Sequence, residues 1–148
     1  MIYPVITIRQ PWAALVVLGL KNAENRSWHM PALYRHFHPT TLIHASARPE
    51  FSLEVANAEL IARGGAPLTE IDPDITRVGH IIGAVRFAAC EWKHHHGSKP
   101  LTPWCDAESN FWWLIERAMP LPPVPAKGQL RFWEFNYPDR VAWPKEVA

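Results

Sequence analysis

Lys21, Glu24 and Arg26 lie within one six-residue stretch, and together they hold the groups that hydrolysis of an amide needs. An ammonium can hold a developing oxyanion. A carboxylate can take a proton from water and hand it to a leaving amine. A guanidinium can fork onto that carboxylate and orient it. Partial burial of Lys21 beside Glu24 would favour its neutral form and let the pair share a proton. The same residues also read as a solvated strand carrying a surface ion pair worth at most about 1 kcal/mol.

Further polar and aromatic residues stand near this stretch. Arg9, Gln10 and Trp12 fall where a first strand would meet a first helix. Trp12 can stack on a nucleobase, which is worth about 1–3 kcal/mol, or anchor the helix in the core. Gln10 can contact a ligand or simply turn the chain. His44 and Ser46 share one strand face and can donate to a ligand carbonyl; His44 equally suits a structural role. Asn110 offers both a donor and an acceptor to a base edge, and Asp106 or Glu108 is an alternative third catalytic group. His94, His95 and His96 are adjacent, and adjacent side chains do not converge on one ion in regular structure. No metal site is expected.

The elements that must position these groups follow from periodicity. Residues 4–9 are β-branched and predict a strand. Pro11 opens a helix over about 11–18, with Trp12, Leu15 and Val16 at helical spacing and Gly19 as its left-handed stop. Residues 22–28 are extended, so Glu24, Arg26 and Trp28 share a face. Residues 41–46 form another strand. A second helix over about 49–63 starts at Pro49 and ends at Gly64-Gly65. Residues 78–92 read as a long strand bent at Gly83, 93–110 as a polar loop and 111–116 as a strand. A proline-rich crossing over 119–125 and a last strand near 130–135 follow. Strands and helices do not alternate regularly, which excludes a doubly wound sheet.

The chain has 148 residues, 48% of them hydrophobic, enough for one packed domain over 1–148. Its formal charge of +1 argues against non-specific clamping of long nucleic acid, which needs many cationic contacts. Eight tryptophans and fifteen prolines suit a small aromatic core with many reversals. The two cysteines, Cys90 and Cys105, form no CxxC motif and read as free thiols. The start of the chain has no basic-then-apolar leader pattern, and no apolar run approaches the roughly 20 residues of a membrane helix. A cytoplasmic protein without membrane partners is expected.

Three segments carry a family resemblance: Ile6-Thr-Ile-Arg-Gln-Pro-Trp-Ala13, Gly19-Leu-Lys-Asn-Ala-Glu-Asn-Arg-Ser-Trp28 and Leu42-Ile-His-Ala-Ser46. They resemble the ASCH domain (activating signal cointegrator homology) of the PUA-like superfamily, with its G-x-K-x-x-[ET]-x-R pattern on Gly19, Lys21, Glu24 and Arg26. The stretches Gly79–Gly83 and Pro123–Gly128 extend the likeness. The resemblance implies an α+β, mainly β fold: a small barrel of five to seven strands with two flanking helices. It also implies recognition of RNA or of a modified base in a cleft between barrel and helix. One branch hydrolyses N4-acetylcytidine and carries threonine where this chain has Glu24. Two functions are therefore carried forward. The first is a cofactor-independent amidohydrolase for N4-acylated cytidine or cytosine, with Lys21, Glu24 and Asn110 as catalytic residues. Arg9, Gln10, Trp12, Arg26, His44 and Ser46 would bind its substrate. The second is a non-catalytic module that binds RNA or a modified base.

Overall fold

The computed structural model describes residues 1–145; residues 146–148, counted in the expected domain, lie outside the described residues. Six strands form one sheet: β1 (Ile2–Ile8), β2 (Ala23–Arg26), β3 (Thr41–Ala45), β4 (His80–Trp92), β5 (Phe111–Pro125) and β6 (Phe132–Asn136). Their spatial order is β2-β5-β4-β3-β1-β6. Only β1 and β3 run parallel, and the remaining neighbours are antiparallel. A parallel pair needs a crossover connection, and helix α1 (Trp12–Val17) begins that crossover.

Helix α1 is short and buried beyond its first residue: Ala13, Ala14, Leu15, Val16 and Val17 are all inaccessible to solvent, while Trp12 is half-buried. It packs into the concave side of the sheet among Ile6, Ile8, Ile43, Ile82 and Val85. Gly83 on β4 makes this approach possible. A Cβ there would stand 2.4 Å from Val17 Cγ1 and 2.6 Å from the Met119 carbonyl oxygen. The glycine that the sequence marks as a bend is thus also where a helix touches the sheet. The register of β4 shifts between Ile81 and Gly83, and again on both sides of Phe87, so the strand is bulged as expected.

The sheet curls until side chains of β5 and of the segment after β2 reach β6. No ladder joins its two end strands, β2 and β6. Instead the Trp113 and Phe132 rings stack at 5.5 Å and 10°, and Trp28 meets Phe132 edge-on at 6.1 Å. The Arg26 guanidinium donates from Nη2 to the Thr7 carbonyl at 2.9 Å. The result is a partly closed barrel sealed by side chains.

Three expectations change. A helix not foreseen, α2 (Ala32–Phe37), precedes β3. The next helix, α3, spans Leu53–Ala62 and does not start at Pro49, because the Glu50 and Phe51 amides bond the Gln10 carbonyl outside any helix. The proline-rich segment is no crossing but the second half of β5, paired with β4 as far as Pro125. Beyond Ile115, whose amide bonds the Asn22 carbonyl, this half has only β4 as a paired strand. Its other edge is open, and there a proline's missing N–H removes no ladder bond. Among the described residues no helix is long and apolar enough to cross a membrane.

Candidate functional site

The end of α1 aims Lys21. Gly19 adopts φ +74°, the Gly19 amide bonds the Val16 carbonyl, and the Leu20 amide bonds the Leu15 carbonyl. This paired pattern is the Schellman ending, which turns the chain back on the helix. The Lys21 amide also bonds the Leu15 carbonyl, so the lysine enters β2 with its side chain folded inward, 7% exposed. Its Nζ donates to the Ala23 carbonyl and to Glu24 Oε2, the latter at 3.5 Å.

β2 lies against β5, with Glu24 opposite Trp113, and this pairing buries the carboxylate. The expected shared face of Glu24 and Arg26 is realised: Arg26 Nε donates to Glu24 Oε1 at 3.1 Å. One carboxylate is thus held by two cations, each on its own oxygen. Lys21 has three N–H donors, and two have protein acceptors.

Asn25 was not singled out from sequence, yet it joins the site to its wall. Its Nδ2 donates to the Trp104 carbonyl at 3.0 Å, and its Oδ1 accepts from the Asp106 amide at 2.8 Å. A polar amide inside a strand is disfavoured by packing on a sheet face, and that was the available signal. These bonds place Trp104 and Asp106 over a cleft of about 540 Å³ that is lined also by Trp12, Lys21, Glu24 and Arg63. Such a volume suits a small organic ligand. Arg63 caps the Trp104 ring at 4.4 Å. Trp12 meets Trp104 edge-on at 6.4 Å and donates from Nε1 to Glu50 Oε2 at 3.1 Å.

A second cavity of about 490 Å³ adjoins the first and shares Trp12, Glu24, Asn25 and Glu50 with it. Arg9, Arg26, Ser46 and Arg131 line its remaining walls. Of the sequence candidates, Lys21, Glu24, Trp12, Arg26, Arg9 and Ser46 therefore come together around one two-part cleft. Asp106 is the acidic residue of the 104–110 loop that reaches it. The Asp106 carboxylate accepts from the Glu108 amide and the Ser109 hydroxyl.

Three candidates do not reach the cleft. Gln10 is buried, with its amide group committed to the fold. Nε2 donates to the Ile75 and Arg77 carbonyls, and Oε1 accepts from the Ala14 amide. His44 is 1% exposed and contacts Ala126 and Thr7: its Nε2 lies 2.7 Å from the Ala126 carbonyl and its Nδ1 3.2 Å from Thr7 Oγ1. Burial lowers its affinity for a proton; the Ala126 carbonyl opposes this shift and His80 adds to it. Asn110 is exposed at the start of β5 and lines neither cavity. The three adjacent histidines diverge. His94 and His95 pack edge-on against Trp92, while His96 reaches Glu91 at 3.0 Å. Cys90 and Cys105 are unpaired, and burial pushes the Cys90 thiol up from its ordinary value.

A curled mixed sheet, a buried crossover helix and a polar cleft at the helix exit define a small PUA-like barrel. The profile of the ASCH domain matches residues 6–125, and the chain belongs to that family. No curated protein sequence matches it.

Proposed function

We propose that this ASCH domain is a metal-independent amidohydrolase that removes acyl groups from N4 of cytidine or cytosine. The observation that supports it most is the buried Lys21–Glu24–Arg26 arrangement at the floor of a tryptophan-walled cleft. A planar base would lie against the wall formed by Trp12 and Trp104, whose rings meet edge-on. Glu24 takes a proton from water as the water oxygen attacks the acyl carbonyl carbon. The remaining donor of Lys21 holds the carbonyl oxygen as it becomes negative. The C–N bond then breaks, Glu24 returns the proton to the departing N4, and the products are a carboxylic acid and the free exocyclic amine. Arg26 holds Glu24 in place throughout.

A second reading is a non-catalytic module that recognises a modified base. It draws support from the same carboxylate, whose two oxygens are already fixed by cations and present a rigid acceptor to a base amino group. Incubation of the purified protein with N4-acetylcytidine, N4-acetylcytosine and the deoxynucleoside separates the two. Release of cytidine or cytosine, lost in Glu24→Gln, is the result expected of the hydrolase. Binding without product in every case establishes the module.

A further inference from the structure

The two halves of the cleft carry opposite electrostatic character. The half at Trp104 holds Lys21 and Arg63 against Glu24, Glu50, Glu59 and Asp106. The other half holds Arg9, Arg26 and Arg131 against only Glu24 and Glu50. Glu24 is already neutralised by Lys21 and Arg26. Glu50 accepts from the Trp12 indole on the partition between the halves. Among the described residues, neither Arg9 nor Arg131 makes an ion pair, and both are exposed. A neutral base and an anionic group would partition between such halves in opposite directions.

The loop that brings in Arg131 is held at a specific height. The Ala126 amide bonds the Gly79 carbonyl. Gly128 presses onto the barrel so closely that a Cβ would stand 2.8 Å from His44 Cε1 and 3.3 Å from Thr7 Oγ1. From this seat Gln129, Leu130 and Arg131 rise over the second cavity, and Leu130 is left 92% exposed. Arg131 adopts φ +58°, a left-handed conformation that is uncommon for a long side chain and clusters at ligand clamps. Its guanidinium lies 4.7 Å from the Trp28 ring centroid, a contact that fixes the group without consuming its charge.

We propose that the second cavity is a phosphate subsite, so that the ligand is a free phosphorylated nucleoside. Its base lies on the Lys21–Glu24 side of Trp12, and its phosphate lies among Arg9, Arg26 and Arg131. Planar guanidinium groups suit phosphate because each offers two parallel N–H donors. This inference rests on the reading of the first cavity as a base site, and it names the substrate as a nucleotide where that reading allows a nucleoside.

The test is calorimetric titration of the intact chain with cytidine, cytidine 5′- and 3′-monophosphate, inorganic phosphate and a short cytidine oligonucleotide. One of the monophosphates should bind at least about tenfold more tightly than cytidine, because charge-assisted bonds to phosphate are among the strong ones. Inorganic phosphate should compete with it. In Arg9→Gln/Arg131→Asn the monophosphate-to-cytidine ratio should fall towards one. Asparagine tolerates the left-handed backbone at 131, and an unchanged thermal midpoint confirms that this variant is folded. Equal affinity for cytidine and both monophosphates overturns the proposal, as does a preference that survives the double substitution. An oligonucleotide that binds far more tightly than either monophosphate also overturns it, in favour of an RNA strand. Turnover of N4-acetylcytidine and of its 5′- and 3′-monophosphates is measured separately. A phosphate preference without turnover sinks only the hydrolase reading, and turnover without a phosphate preference sinks only the subsite.

Discussion

Arg26 on β2 donates to the Thr7 carbonyl on β1, two strands that share no ladder. β6 pairs with β1 only as far as Ile6, so the end of β1 beyond it faces the gap that Arg26 spans. The same guanidinium holds Glu24 through Nε. One side chain therefore both helps to close the barrel and orients the carboxylate at the cleft floor. Arg26→Lys cannot do both, because an ammonium lacks the planar fork. Arg26→Lys should lower stability by about 1–3 kcal/mol, the usual cost of losing hydrogen bonds from a charged group. It should weaken ligand turnover or binding as well. Urea denaturation and a substrate titration measure the two effects, and an unchanged midpoint would show that the closure carries no energy.

Lys21 and Glu24 make the sharper functional pair. Glu24→Gln keeps the volume but removes the proposed base, and Lys21→Met keeps much of the stem but removes the proposed oxyanion donor. If the chain hydrolyses N4-acetylcytidine as proposed, Glu24→Gln should cut the rate by about 10²–10⁴, the usual worth of a general base, and Lys21→Met by about 10²–10³, that of one oxyanion donor. Lys21→Met also leaves Glu24 with only Arg26, and breaking a buried pair costs about 3–5 kcal/mol. Rates should therefore be compared at a temperature where calorimetry shows the variant folded. A folded Lys21→Met protein with wild-type turnover would remove Lys21 from the mechanism.

Much of this arrangement was legible in the sequence. Period two put Glu24 and Arg26 on one face, and Gly19 after an apolar run marked the helix stop that turns Lys21 inward. The misses have local physical causes. Helix α2 is only six residues long and buries none of them fully, too short for an apolar repeat to establish itself. The prolines of β5 suggested a crossing because sequence does not reveal that one edge of the strand is open. Gln10 and His44 looked like ligand contacts because polarity is visible in sequence, whereas the partners that consume it, Ile75, Arg77, Thr7 and Ala126, are mostly far along the chain. Asn25 was missed for the same reason, since its partners lie in the 104–106 segment.

Gly83 is required by contact, not by backbone freedom. Gly83→Ala places a methyl against Val17 Cγ1 and the Met119 carbonyl oxygen. Overpacking of this kind costs about 1–3 kcal/mol. Val17→Ala in the same chain should recover only part of the loss, because the Met119 oxygen is backbone and cannot withdraw. A double-mutant cycle by chemical denaturation tests this, and full recovery would mean that the Met119 contact relaxes freely.

His44 should make stability fall as pH falls. Thr7 Oγ1 can accept from Trp133 Nε1 while donating its own proton to His44 Nδ1. Nε2–H is then left to donate to the Ala126 carbonyl. This chain of bonds fits the neutral ring, and burial lowers the folded-state pKa below the ordinary 6.5. The unfolded chain therefore binds the extra proton first. Stability from this group is fully present above about pH 6.5 and declines below it, by at most about 1.4 kcal/mol per pH unit for one proton. The decline ends once pH passes below the folded-state value. Denaturation midpoints between pH 8 and pH 5 should therefore slope more steeply in the wild type than in His44→Gln. The difference between the two curves isolates His44 from the other titrating groups, and parallel curves would show that its folded and unfolded states bind the proton equally.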